Sequence, residues 1–232
     1  MAKEALNRNT VIIQGNSLRT WSVVSSTYKK VHLSITTDGR PLNANIELWH
    51  GPDYTPAKMS VYVEDGLLTP FNTIIVTKPG TNTVAVVNKS PLEFPLMASL
   101  AGGKEDDPTT LLYAANLLPK VGEPRLIQGG GAVASFPFDP AIEQVQVCLK
   151  ADERNLKGRV ELMQGPNNDK QVIEYYASSG YKNPFFCIFR TPGSGNVVRI
   201  INKNTVEFPF TAYVEPFMHV DRDDPSDGIT LN

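Results

Sequence analysis

The sequence predicts an all-β chain: a tandem duplication of an antiparallel, jelly-roll-like β-sandwich, with a short helical linker between the copies. The duplication is visible directly. Arg40-Pro41-Leu42-Asn43-Ala44-Asn45-Ile46-Glu47-Leu48-Trp49-His50-Gly51-Pro52 returns 114 positions later as Arg154-Asn155-Leu156-Lys157-Gly158-Arg159-Val160-Glu161-Leu162-Met163-Gln164-Gly165-Pro166. At that shift, 25 of the 86 positions from Ile13 to Ala98 are identical to their partners. The strand class rests on short β-prone runs, several alternating apolar with polar residues. The sandwich rests on 18 Pro and 17 Gly, which punctuate the chain at the spacing of short strands. A period of 114 residues far exceeds a solenoid repeat of roughly 20 to 50, so each copy is expected to own a core. The divisions read as 1–107 for the first sandwich, 108–124 for the linker, 125–220 for the second sandwich and 221–232 for a C-terminal arm.

Taken in order, Thr10 to Ile13 forms a first strand that stops at Gly15, and Leu18 to Val24 a second that carries Trp21. Val31, Leu33 and Ile35 alternate with polar residues, and Asp38-Gly39 after them favours a type I′ hairpin turn into Asn45 to Trp49. Met59, Val61 and Val63 alternate again. Thr73 to Thr77, Thr83 to Asn88 and Phe94 to Ala98 complete about eight strands. Pro95 and its counterpart Pro209 belong at an edge or a bulge, because proline cannot donate to a ladder. In the linker, Asp107 before Pro108 reads as an N-cap and first helical residue. Leu111, Leu112, Ala115 and Leu118 then make one apolar stripe. The chain end repeats Asp-Asp-Pro at Asp223-Asp224-Pro225, followed by Ile229 and Leu231. A helix of about ten residues is marginal alone, so both arms need a surface. Leu111, Leu112, Leu118, Ile229 and Leu231 are therefore the residues assigned to assembly.

Composition narrows the function. A net charge of −2 gives no electrostatic reason to expect nucleic acid or an anionic membrane as partner. No apolar run approaches the roughly 20 residues of a membrane span. The start, Met1 to Ala5, has neither an apolar signal core nor a transit-peptide character, so the reading is a cytosolic chain or a mature form. The two cysteines, Cys148 and Cys187, correspond to Ser34 and Thr73 in the first copy, which favours buried thiols over a disulfide framework.

The sequence offers no catalytic, cofactor-binding or metal-ligating residue, and no cofactor is expected. His32, His50 and His219 have no histidine or cysteine at metal-ligand spacing. Gly129-Gly130-Gly131 lacks the following Lys-Ser/Thr of a phosphate cradle. Ser194 sits in a Gly-Ser-Gly tip without the strand-turn-helix setting of a nucleophile elbow. Glu47, Glu161, Glu93 and Glu207, with Arg40, Arg154, Lys89 and Lys203, are expected to form ion pairs within each copy or to cap strand ends, although paired carboxylates also serve glycosidases. Trp21 and Trp49 have no partners in the second copy, where Ser135 and Met163 stand, so the stacked aromatics of a sugar-binding ledge are not expected.

The tandem blocks Ile-Gln-Gly (Ile13, Ile127), Glu-Leu-(x)3-Gly-Pro (Glu47, Glu161), Pro-Phe (Pro70, Pro184) and Asn-Lys-(x)3-Glu-Phe-Pro (Asn88, Asn202) resemble the diatom and related algal pyrenoid shell proteins. The resemblance runs from about Thr10 to the tail. It implies a structural protein of the chloroplast, at the pyrenoid periphery, that self-assembles into a thin sheet around the Rubisco condensate and supports CO2 fixation. Its partners would be copies of itself, with Rubisco or other pyrenoid proteins beside them. The alternative is a tandem β-sandwich binding module for a carbohydrate or protein ligand, and a hydrolase stands third.

Overall fold

The computed structural model describes residues 10–24, 29–51, 53–103, 110–166, 168–219 and 230–231. The first copy supplies β1 (Val11–Ile13), β2 (Leu18–Val24), β3 (Lys30–Thr36), β4 (Leu42–His50), β5 (Ala57–Val63), β6 (Phe71–Val76), β7 (Thr81–Asn88) and β8 (Leu96–Gly102). Helix α1 (Leu111–Val121) follows. The second copy supplies β9 (Arg125–Ile127), β10 (Val133–Pro137), β11 (Gln144–Lys150), β12 (Leu156–Gln164), β13 (Asp169–Ala177), β14 (Phe185–Arg190), β15 (Asn196–Asn202) and β16 (Phe210–Pro216). A small pair, β17 (Met218–His219) with β18 (Thr230–Leu231), brings the end of the chain back on itself.

Within the first copy the orders β1-β8-β3-β6 and β2-β7-β4-β5 are those of a jelly roll, and the second copy repeats them. Alternating residues of both sheets meet in the middle: Leu33, Ile35, Leu42, Ile46, Phe71 and Leu96 are fully buried. Asp38-Gly39 does supply a residue at φ 94°, but it does not close a hairpin. It carries the chain from β3 in one sheet to β4 in the other, because inward apolar positions on both strands need opposite walls of one core. Pro95 and Pro209 sit neither on an edge nor at a bulge. Each lies immediately before β8 or β16, where the missing N–H costs the ladder nothing.

The two jelly rolls are fused. β6 pairs with β14, and β5 pairs with β13, so the copies share two continuous eight-stranded sheets. The front sheet runs β1-β8-β3-β6-β14-β11-β16-β9 and the back sheet β10-β15-β12-β13-β5-β4-β7-β2. In the back sheet Ser60 stands opposite Glu174, and in the front sheet Thr73 stands opposite Cys187. Each pair is separated by the repeat itself (174 − 60 = 187 − 73 = 114). A pseudo-twofold axis therefore passes through both pairs. The expected separate cores give way to one: buried residues of both copies form a single cluster from Ile13 to Val214. Burying two half-sandwich edges against each other removes those edges from water and satisfies their ladders, which two isolated units would leave open.

The shared motifs explain themselves as joints of this frame. The Asn88 amide donates to the carbonyls of Ile13 (3.0 Å) and Phe94 (2.9 Å) and accepts from Ser90 N–H. Asn202 does the same for Ile127, Phe208 and Asn204. Both are fully buried. The Arg40 guanidinium lies 4.9 Å from the centre of the Phe94 ring and Arg154 5.2 Å from that of Phe208, and each donates to the backbone carbonyl of Glu93 or Glu207. Toward Glu93 and Glu207 the arginines thus make a cation–π clasp with a carbonyl bond, while Arg40 also forms an ion pair with Asp38 at 3.7 Å. Gly15 and Gly129 are glycines by close approach: a Cβ there would fall 1.8 Å from Pro91 O or 1.7 Å from Thr205 O. Asn202→Ala is expected to lower the stability by roughly 2 to 4 kcal/mol, because two buried carbonyls and one N–H lose their partner; urea unfolding measures it, and an unchanged midpoint would remove the amide from the frame.

Candidate assembly surfaces

Helix α1 begins at Thr110, whose hydroxyl oxygen accepts from Tyr113 N–H, and Gly122 closes it on the Leu118 carbonyl. The expected cap at Asp107 and Pro108 lies outside the described residues. The helix also runs two residues past Pro119, which the Gly122 N–H to Leu118 carbonyl bond (2.8 Å) spans. The surface that receives it is the outer face of the front sheet: Leu112, Ala114 and Leu118 pack on Ile74, Cys148, Phe186 and Ile188. The signal for that dock stands in the sequence as a difference between copies. At outward positions the second copy has Cys148, Phe186 and Tyr213 where the first has Ser34, Asn72 and Ser99. Burying each leucine is worth about 1.5 to 3 kcal/mol, so the arm is fixed to its own chain.

Of the residues assigned to assembly, Leu112 and Leu118 thus face the chain's own sheet and Leu111 is half-buried beside them. The backbone of Leu231 pairs with Met218, and Ile229 lies outside the described residues. His32 is bonded to the Asn72 side chain, and burial lowers its pKa. His50 bonds the Asn82 side chain, and its counterpart Gln164 donates to the carbonyls of Pro192 and Ser194, so both brace the turn that leads into β7 or β15. The Cys148 thiol is pushed up to about 12 by burial, and Cys187 is raised for the same reason; both are free.

Glu161 is held between Arg159 and Arg199 and is 1% exposed. Burial pushes its pKa up, but the bonds from Arg199 and Arg159 outweigh that and leave it below the usual carboxylate range. Glu47 instead accepts from the Trp49 indole at 2.7 Å, since Asn45 and Ala85 replace the two arginines. The ion-pair reading therefore holds for Glu161 and not for Glu47. Trp21 does have a partner in the second copy. Trp21 pairs with Val84 and Phe136 with Val198, the same ladder position. The shift there is 115 because Gly131, at φ 87°, is one extra residue in the turn. Gly129-Gly130-Gly131 is that turn.

Among the described residues no group of three or more His, Cys, Asp or Glu gathers as a metal site would require. None of their helices is long and apolar enough to cross a membrane. The space between the sheets near Phe185 and Asn183 is a void of about 10 Å³. The larger hollows are open grooves: about 320 Å³ on the outer back sheet beside Lys58, Glu174 and Tyr176, and about 280 Å³ beside α1 with Lys30, Lys120 and Lys150. What recurs at both ends of the molecule is different in kind. The terminal strands β1 and β2, and again β9 and β10, carry exposed Ile12, Leu18, Val24, Leu126 and Val133.

These features define a duplicated jelly-roll protein whose repeated residues build a frame with two similar apolar ends. The chain belongs to the diatom pyrenoid shell protein family, whose model matches residues 3–216. No curated protein matches it. It is similar to the PBSX exported protein XepA at 13% identity and a TM-score of 0.29, over 88% of this chain and 84% of that one. It is also similar to the vicilin of Solanum melongena (9%, 0.23, over 91% and 77%) and to procruciferin, the 11S globulin of Brassica napus (9%, 0.24, over 90% and 77%). At those TM-scores the likenesses carry no argument.

Proposed function

We propose that this chain is a structural subunit that self-assembles into a sheet around the Rubisco-containing pyrenoid of the chloroplast, supporting CO2 fixation there. Family membership supports the pyrenoid. The single observation that supports assembly is the pair of apolar ends, alike but not identical, on one fused body. Contacts between unlike ends propagate wherever the rotation between molecules does not close a ring. Its partner is first of all itself, with Rubisco or other pyrenoid proteins on the faces of the layer. The reading includes no catalytic step. Leu111, Leu112 and Leu118 serve the layer from within, by fixing α1 to the front sheet, while the chain end reaches a neighbour through Ile229 and Leu231.

Purified chain, concentrated and viewed by negative-stain electron microscopy, is expected to form sheets or tubes. A clean monomer with affinity for a glycan would favour the binding module instead. Deleting residues 221–232 is expected to leave the β-signal in circular dichroism intact while weakening or abolishing those assemblies. Unaltered sheets would remove the tail from the contact, and a collapsed β-signal would place it in the fold.

A further inference from the structure

We propose that the free edge strand β2 of one molecule pairs antiparallel with the free edge strand β10 of a second copy. Both sheets then run on from molecule to molecule. The inference rests on the self-assembly reading above and names its contact.

The topology permits this without rearrangement. Neighbouring strands in both sheets are antiparallel throughout, and each sheet has eight. An even number of alternating strands leaves the two edges running in opposite directions. Head-to-tail addition therefore sets β2 antiparallel to β10 in the back sheet and β1 antiparallel to β9 in the front sheet at the same time.

The chain already contains such a joint. At the pseudo-twofold axis a long ladder of seven register pairs, β5 with β13, lies over a short one of two pairs, β6 with β14. The outer ends offer the same combination: β2 has seven residues and β10 five in the back sheet, while β1 and β9 have three each in the front sheet.

Of the outer edges, β2 lacks the usual defences. Natural edge strands are blunted by lysine, proline, bulges or brevity. β2 reads Leu18-Arg19-Thr20-Trp21-Ser22-Val23-Val24, with no lysine and no proline, and nothing among the described residues pairs with its outer side. Leu18, Val24 and Val133 are each more than half exposed (52%, 53% and 55%). Ile12 and Leu126, at equivalent places on β1 and β9, are exposed at 62% and 61%. β10 ends in Pro137, which cannot donate. Pairing β10 with itself would put that gap on both strands, whereas pairing it with β2 leaves one strand able to donate along its whole length.

Two experiments on the full chain test this. Leu18→Lys with Val24→Lys changes two solvent-facing side chains, so circular dichroism and the melting temperature are expected to hold. The concentration needed for assembly is expected to rise at least about tenfold. In the second, a Ser22→Cys or Thr20→Cys chain is co-assembled with a Ser135→Cys chain and oxidised; Cys148 and Cys187 are buried and do not compete. A disulfide joining the two variants is the expected product. Assembled material that gives only like-with-like disulfides, or none, overturns the proposal. So does a folded double-lysine variant that assembles like the unsubstituted chain, and in both cases the shell reading stands. An unsubstituted chain that never assembles overturns both.

Discussion

Replacing Phe185 by Ala is expected to lower the free energy of unfolding by about 3 to 5 kcal/mol, and Phe71→Ala by a similar amount. The two rings are the same residue of the repeat, 1% and 0% exposed. They flank the pseudo-twofold axis on β14 and β6, where front and back sheets of both copies meet. Phe185 lies 5.0 Å from the Tyr175 ring, and Tyr175 in turn donates its hydroxyl to the Asn183 carbonyl. Truncation would enlarge a void of about 10 Å³ that already borders Phe185, at a place braced by strands from two copies and therefore poorly able to collapse. Leu48→Ala, 2% exposed on β4, beside the axis strand β5 and bordering the same void, should cost roughly 2 to 5 kcal/mol. Guanidinium unfolding measures all three. An unchanged midpoint for Phe185→Ala would mean that the axis is not where the fold is held.

The repeat was legible because its matching residues are those the frame cannot replace. Asn88, Asn202, Gly15, Gly129, Arg40 and Arg154 each make a bond or a close approach that only that residue type makes, so a plain comparison of the sequence with itself finds them. The jelly-roll class followed from inward alternation and turn spacing. The fusion was not legible, because β5, β6, β13 and β14 read as ordinary half-buried strands whichever strand lies beside them. A strand's period of two reports its faces and carries nothing about its edges. Asp38-Gly39 missed on both counts: only Gly39 takes a positive φ, where a type I′ turn needs two, and the turn leads to the other sheet.

The assembly surfaces divide along similar lines. The leucine stripe of α1 was visible by helical period, but its surface was not, since a helix face does not say whether its partner is its own chain. The copy difference did hold that answer, in Cys148, Phe186 and Tyr213 against Ser34, Asn72 and Ser99. Trp21 was left without a partner because a fixed shift of 114 cannot follow one inserted glycine. The ladder restores Phe136 to it.

Because the axis relates like to like, a single first copy is expected to rebuild the joint with itself. Residues 10–103 alone would expose the edges of β5 and β6 and half of the core between them. In the register of the intact chain, two such fragments would set Ser60 against Ser60 and Thr73 against Thr73, small neutral pairs that ladders accept. Lys58, which now lies 5.6 Å from the Tyr176 ring, would meet Tyr62, the same residue of the repeat. The fragment is therefore expected to sediment as a folded dimer. The second copy, residues 125–216, would instead set Glu174 against Glu174, and like charges directly opposite cost roughly 0.2 to 1 kcal/mol. It should dimerise more weakly, and the first-copy fragment should follow it once Ser60→Glu installs the same conflict. Sedimentation equilibrium on the three fragments decides the matter. A stable folded monomer of the first-copy fragment would mean that a half-sandwich closes its own edges, and the fused core would then be a convenience of covalent linkage and not a requirement of the fold.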